Sequence, residues 1–135
     1  MKPTLQAGVS RSASIGIDRE RTIDFMGEKA RVYATPMMVR DIEMTCRELL
    51  LQHLDAGEDS VGTRVEIDHT GATLMGMQVT LSARITEVNG RAVAFEVEGH
   101  DGVEPICRCK HHRFVVDIAK TEQRLAAKAQ KAGLA

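Results

Sequence analysis

From Ser60 to Ile118 the chain keeps a hydrophobic period of two, and that pattern allows little except an antiparallel sheet. Thr63, Val65, Ile67 and His69 alternate with Arg64, Glu66 and Asp68. After irregular backbone marked by Gly71 and Gly76, Val79, Leu81, Ala83 and Ile85 alternate with Thr80, Ser82, Arg84 and Thr86. Side chains one apart on a strand point to opposite faces, so each run has an inner and an outer set. Asn89-Gly90 is a strong two-residue hairpin signal. Val93, Phe95 and Val97 form the return strand, Asp101-Gly102 marks the next turn, and a last strand is expected from about Ile106 to Ile118. Short turns between neighbouring strands spell a meander.

One long helix accompanies it. Thr35-Pro36 reads as a helix start, with Thr35 capping the free N–H groups and proline at the first helical position. The helix is expected to reach Leu54 or Asp55, with Gly57 as its left-handed stop. Met38, Ile42, Thr45 and Leu49 make one stripe and Val39, Cys46 and Leu50 the next, wide enough to lie against a sheet. Upstream, Ala13, Ile15 and Ile17 suggest one strand within Ala7 to Asp24, and Met26 to Arg31 reads as a polar loop or short turn. The Ala-, Lys- and Gln-rich end from Ala119 reads as a surface helix. The expected fold class is α+β, one domain over residues 1–135, with a long helix wrapped by an antiparallel sheet. One helix cannot cover both faces of such a sheet, and sheet edges need pairing. A homodimer or a dimer of dimers is therefore expected.

Composition excludes several functions. A formal net charge of −1, with one Tyr and three Phe, gives neither a basic field nor stacking platforms for nucleic acid. Three cysteines, two of them only two positions apart, do not form a disulfide framework, so a reduced, cytoplasmic setting is expected. No stretch reaches the roughly 20 apolar residues of a membrane span, and the first residues carry no signal-like apolar run.

Three polar positions invite chemistry. Glu43 falls on the apolar stripe of Val39, Cys46 and Leu50. Either it snorkels from the stripe's edge, or it is a carboxylate held in a site. His69 closes the alternation of Thr63, Val65 and Ile67, directly before Thr70-Gly71. It is either a satisfied core histidine or a group beside approachable backbone. Thr35 has a full structural role as a cap, yet it stands two helical turns before Glu43. Cys107, Cys109 and His111 share a strand face, but at roughly 7 Å spacing they do not match a tetrahedral metal set. No metal and no cofactor is expected. Neither a nucleophile elbow nor a phosphate-binding glycine loop is present. An enzyme built on this chain would act with a carboxylate and a histidine on water.

These positions fall inside longer blocks. Tyr33-Ala-Thr-Pro-Met-Met-Val39, Ile42-Glu-Met-Thr-Cys46, Ser60-Val-Gly-Thr63 and Ile67-Asp-His-Thr-Gly-Ala-Thr73 resemble the fluoroacetyl-CoA thioesterase type of hotdog-fold protein. The resemblance implies a hotdog fold and hydrolysis of an acyl-CoA thioester. It implies catalytic roles for Thr35, Glu43 and His69, a place for Gly62 against the thioester, and a part for Arg113 with coenzyme A or in the site's architecture. Glu43 would act as general base or as a nucleophile giving a transient anhydride. One departure stands out: the fluoroacetyl-specific member has phenylalanines before its Ala-Thr block, and Met26 to Arg31 has none. Two rivals share the fold, a non-catalytic acyl-CoA binding module and a hydratase or dehydratase. Glu43 and His69 together argue against the first, and no additional acid–base motif supports the second.

Overall fold

The computed structural model describes residues 1–134. Strand β1 (Ser10–Gly16) is followed by one-turn 3-10 helices at Arg19–Arg21 and Glu28–Ala30. The long helix α1 (Thr35–Leu51) comes next. Strands β2 (Glu58–His69), β3 (Gln78–Asn89), β4 (Ala92–His100) and β5 (Pro105–Asp117) follow, and helix α2 (Ile118–Lys131) ends the chain. The five strands form one sheet in the order β1-β3-β4-β5-β2, and every pairing is antiparallel. A long helix against a five-stranded antiparallel sheet is the hotdog architecture that the sequence suggested, but the expected meander holds only for β3, β4 and β5, since β2 pairs with β5 and not with β3. The β3–β4 hairpin turns at Gly90, whose φ of +60° a side-chain-bearing residue adopts only at a cost.

The inner face of the sheet and the apolar face of α1 make the core. Met38, Ile42, Cys46, Leu49 and Leu50 are fully buried against Val79, Leu81, Ile85, Phe95, Val97 and Ile106. Each large side chain removed from water in this way contributes about 1.5–3 kcal/mol. The outer face is polar: Ser12, Thr80, Ser82, Arg84, Glu96, Glu98, Arg108 and Lys110 are exposed, and Arg84 pairs with Glu96 at 2.9 Å. Helix α2 buries no residue. It is capped by Asp117, whose Oδ1 accepts from Lys120 N at 2.9 Å.

Two expectations about α1 need correction. Thr35 is not its cap. Ala34 occupies that position without a side-chain bond, Thr35 is the first helical residue, and Pro36 stands second. The helix also closes at Leu51, short of Leu54, and Gly57 belongs to the turn entering β2. A third correction concerns β2. Its register slips between Gly62 and Arg64, so the alternation is broken by a bulge at Thr63. Val61 and Val65, on this edge strand, are 46% and 37% exposed.

One buried polar cluster ties the segment before α1 to the helix. Asp41 is 4% exposed. It accepts from Arg21 Nε at 2.9 Å, from Arg21 Nη2 at 3.2 Å, and from the Tyr33 hydroxyl. Burial, and then the bond to Asp41, push the Tyr33 phenol far above its ordinary range. Nothing in the hydrophobic periodicity marks Asp41, because the pattern only says that the position faces inward. Asp41→Ala leaves a partly buried guanidinium and a buried phenol unpaired. It should cost on the order of 2–3 kcal/mol, below the range for fully buried pairs because Arg21 is 23% exposed. Urea unfolding reads the loss, and a change below about 0.5 kcal/mol would contradict this account.

Candidate active site

Three cross-links fasten α1 to β2, and they show how the two elements run. Near the start of the helix, Thr35 Oγ1 and His69 Nδ1 lie 2.7 Å apart. In the middle, Glu43 lies against Gly62 so closely that a Cβ at position 62 would collide with the Glu43 Oε1 atom. Further on, Arg47 grips Asp59 through Nε at 2.9 Å and Nη2 at 2.7 Å. Helix residues 35, 43 and 47 thus meet strand residues 69, 62 and 59, so α1 is antiparallel to β2.

Of the five residues singled out in the sequence, the structure makes two groups. Thr35 and His69 form one. The Tyr33 ring stands edge-on to His69, with centroids 6.5 Å apart, so the imidazole is held by a hydroxyl and by a ring that Asp41 fixes. Glu43, Gly62 and Arg113 form the other. From Thr35 to Glu43 is about 12 Å of helix axis, and from Gly62 to His69 roughly 20 Å of strand. The two groups lie at separate points along the same helix–strand seam.

Glu43 is 38% exposed, so the carboxylate sits at the mouth of the seam and not in the core. Behind it, Arg113 is 5% exposed and lies with Nη1 3.7 Å from Glu43 Oε1. Arg113 donates from Nε to Ser60 Oγ at 2.7 Å and from Nη2 to the Ser60 carbonyl at 2.9 Å. A guanidinium so committed and so enclosed turns what remains of its Nη1 edge toward Glu43. In the sequence Ser60 carries no signature of its own, and His111 reads only as one of a strand face with Cys107 and Cys109, with no link to Glu43.

His111 is fully buried and stacks on Phe95, with centroids 6.1 Å apart. Its Nδ1 lies 2.7 Å from the Arg64 carbonyl oxygen, which can only accept, so Nδ1 carries the proton. Nε2 is then a bare acceptor, 3.3 Å from Arg113 Nη1. Burial lowers the His111 pKa, the Arg64 carbonyl bond opposes that, and the Arg113 charge lowers it further. Cys107 and Cys109, which share this strand face with His111, are buried, and burial raises both thiols to about 11. Among the described residues no group of three His, Cys, Asp or Glu side chains converges on a point that could hold a metal.

The segment 26–31 carries no aromatic residue. Phe25, just before it, is 76% exposed, and Met26 is 59% exposed. Grooves of about 310 and 460 Å³ lie on the sheet, the first lined by Glu66, Glu98 and Lys110 and the second by Thr80, His100 and Pro105; neither is lined by Glu43 or His69. Among the described residues, no helix is long and apolar enough to cross a membrane.

A lowered His111 pKa has a consequence for stability. The unfolded chain takes up a proton at this histidine near pH 6.5, whereas the folded chain does so only at lower pH. Stability from His111 is therefore complete above pH 6.5 and is lost as pH falls from there through the folded value. The Cε1–H resonance of His111 should titrate below pH 6.5, and a midpoint at or above that value would contradict the neutral, Nδ1-protonated assignment.

Comparison with known proteins agrees with this fold. The model of the family "FlK: Fluoroacetyl-CoA-specific thioesterase" matches residues 17–119. A fluoroacetyl-CoA thioesterase of Streptantibioticus cattleyicolor is 36% identical over 101 residues, 75% of this chain and 73% of that protein. A crystal structure of a mutant of the fluoroacetyl-CoA-specific thioesterase FlK superposes with a TM-score of 0.86 at 29% identity, covering 94% of this chain and 99% of that one. A Thermus thermophilus hypothetical protein of the thioesterase superfamily superposes over the whole of both chains, with a TM-score of 0.89 at 26% identity. By the extent of these matches, this chain belongs to the fluoroacetyl-CoA-specific thioesterase family of hotdog-fold proteins.

Proposed function

We propose that this protein hydrolyses an acyl-CoA thioester to a free acid and coenzyme A, in a site that two copies of the chain complete together. The observation that carries this reading is the division of the candidate residues along the α1–β2 seam. Glu43 with Gly62 lies at one point, and Thr35 with His69 at another. Strand β2 is the sheet's edge and exposes Val61 and Val65, with Met44 of α1 38% exposed. A second copy pairing antiparallel along β2, centred between Val65 and Glu66, sets Gly62 of each chain opposite the partner subunit's His69. The same pairing covers the apolar edge.

In that arrangement each group has a defined task. Glu43 acts on the thioester carbonyl carbon, either by taking a proton from water or by direct attack to give an anhydride that water then opens. Arg113 holds the carboxylate's charge from behind. Gly62, lacking a side chain, lets the thioester approach the carboxylate, and a backbone N–H beside it polarises the carbonyl oxygen. His69, oriented by Thr35, handles the proton that goes to the leaving thiolate. The acyl group is not required to be fluorinated, because residues 26–31 supply no aromatic wall and Phe25 is turned to solvent.

Free-thiol release over a series of acyl-CoA chain lengths tests the activity. Glu43→Gln and His69→Ala should each lower turnover by on the order of a hundredfold or more. Thr35→Ala should cost less turnover. Since Thr35 does not cap α1, it should also change stability by less than about 0.5 kcal/mol, where a lost cap would take about 1. Turnover left intact by Glu43→Gln on a good substrate would sink the reading. The specificity constants for fluoroacetyl-CoA and acetyl-CoA should differ by less than about tenfold. A much larger preference for the fluorinated thioester would mean that an element other than residues 26–31 supplies the discrimination.

A further inference from the structure

The polar brace behind Glu43 goes beyond what hydrolysis requires, and its geometry assigns it a task. A guanidinium presents its N–H donors in a rigid fork. Two edges of the Arg113 fork are taken by one residue: Ser60 accepts Nε–H through Oγ at 2.7 Å and Nη2–H through its carbonyl at 2.9 Å. The third direction is set by His111, whose Nε2 accepts from Nη1 at 3.3 Å. His111 is itself pinned by the Arg64 carbonyl, the first residue back in register after the β2 bulge. What remains of Nη1 faces Glu43 Oε1 at 3.7 Å.

We infer that Ser60 and His111 are positioning residues for Glu43, acting through Arg113: they fix the guanidinium so that its Nη1 edge faces the carboxylate at Gly62. This rests on the reading of Glu43 as the group that acts on the thioester.

The brace has a specific competitor to exclude. Arg113 also feels the charge of Asp59, one residue before Ser60 and gripped by Arg47. Without the Ser60 hydroxyl, the fork loses its Nε anchor and keeps only the Ser60 carbonyl and His111 Nε2, so the pull of Asp59 can draw it off Glu43. Gly62 tightens the requirement. A Cβ there would meet His111 Cε1 at 3.3 Å as well as Glu43, so carboxylate, imidazole and bare backbone share one small space. The carboxylate is exposed enough to move, and a fixed cation behind it favours the position against Gly62. A misplacement of about 1 Å at a reacting group is enough to cost turnover heavily.

Ser60→Ala removes a single oxygen and keeps the carbonyl acceptor. Ser60→Cys fills the same volume with a poor acceptor, should the alanine variant not fold, and Ser60→Thr restores the hydroxyl. The first readout is the Glu43 carboxyl carbon resonance at fixed pH, together with the Arg113 Nε–H signal. The second is kcat and KM on one acyl-CoA. Ser60→Ala or Ser60→Cys should move the Glu43 resonance and release the Arg113 signal to exchange. Each should also lower kcat about tenfold or more with KM within about twofold, and Ser60→Thr should reverse all of this. In a Glu43→Gln background the same substitution should have no further effect on kcat, because the group it positions is gone. An unmoved Glu43 resonance in both variants would overturn the inference, and so would a kcat loss that persists undiminished in the Glu43→Gln chain. The resonance does not depend on turnover. Activity retained by Glu43→Gln would therefore sink the proposed function while leaving the brace to be judged by the resonance alone.

Discussion

Glu43 reaches β2 only because residue 62 has no side chain. That contact governs the rest of the seam. A Cβ at position 62 would push the carboxylate off the strand and press on His111. The bulge at Thr63 follows directly, and the Arg64 carbonyl that emerges from it is bound by His111. His111 then faces Arg113, and Arg113 faces Glu43. A missing side chain on an edge strand is thus coupled to a buried histidine, a buried arginine and a half-exposed carboxylate. Substitutions at any of these positions should interact instead of adding.

The two ends of the seam are built differently. Around Glu43 the buried groups are a guanidinium and a neutral imidazole, and the carboxylate itself meets solvent. Around His69 the order is reversed. The imidazole lies nearer the surface, and the buried charge is Asp41, matched by Arg21 and by the Tyr33 hydroxyl. Each end thus anchors its exposed functional group to a buried, paired polar cluster. Such clusters cost desolvation and are kept only when fully partnered. Here Asp41 has three donors and Arg113 three acceptors.

Much of the fold was legible because period and turn chemistry agree. The alternation of Val79 to Ile85 and of Val93 to Val97, separated by Asn89-Gly90, allows only a hairpin, and the structure has it. The stripe Met38, Ile42, Thr45, Leu49 is buried as read. The start of α1 departs from the local rule, because Thr-Pro satisfies the pattern of a capped helix while the Thr35 hydroxyl is taken by His69, a residue 34 positions away. No local signal carries that information. For the site, Glu43 and His69 stood out as polar residues breaking apolar patterns. Ser60 and His111 did not, since a small polar residue at a strand's start and a histidine in an alternating run have ordinary explanations. Their partnership with Arg113 exists only once β2 and β5 pair. The bulge at Thr63 was likewise invisible, because the register of a strand pair depends on both strands.

In the proposed site, each chain holds both halves and two chains are needed to join them. Mixing Glu43→Gln chains with His69→Ala chains, after reversible dissociation, tests it most directly. If the halves meet across the β2 edges, each mixed dimer regains one of its two sites. At equal concentrations, with random pairing, thiol release should then recover to about a quarter of the unsubstituted protein's rate. If Glu43 and His69 of the same chain act together, every site in every dimer keeps one defect. Mixing would then leave activity at the level of the separate variants, and the shared-site account would be wrong.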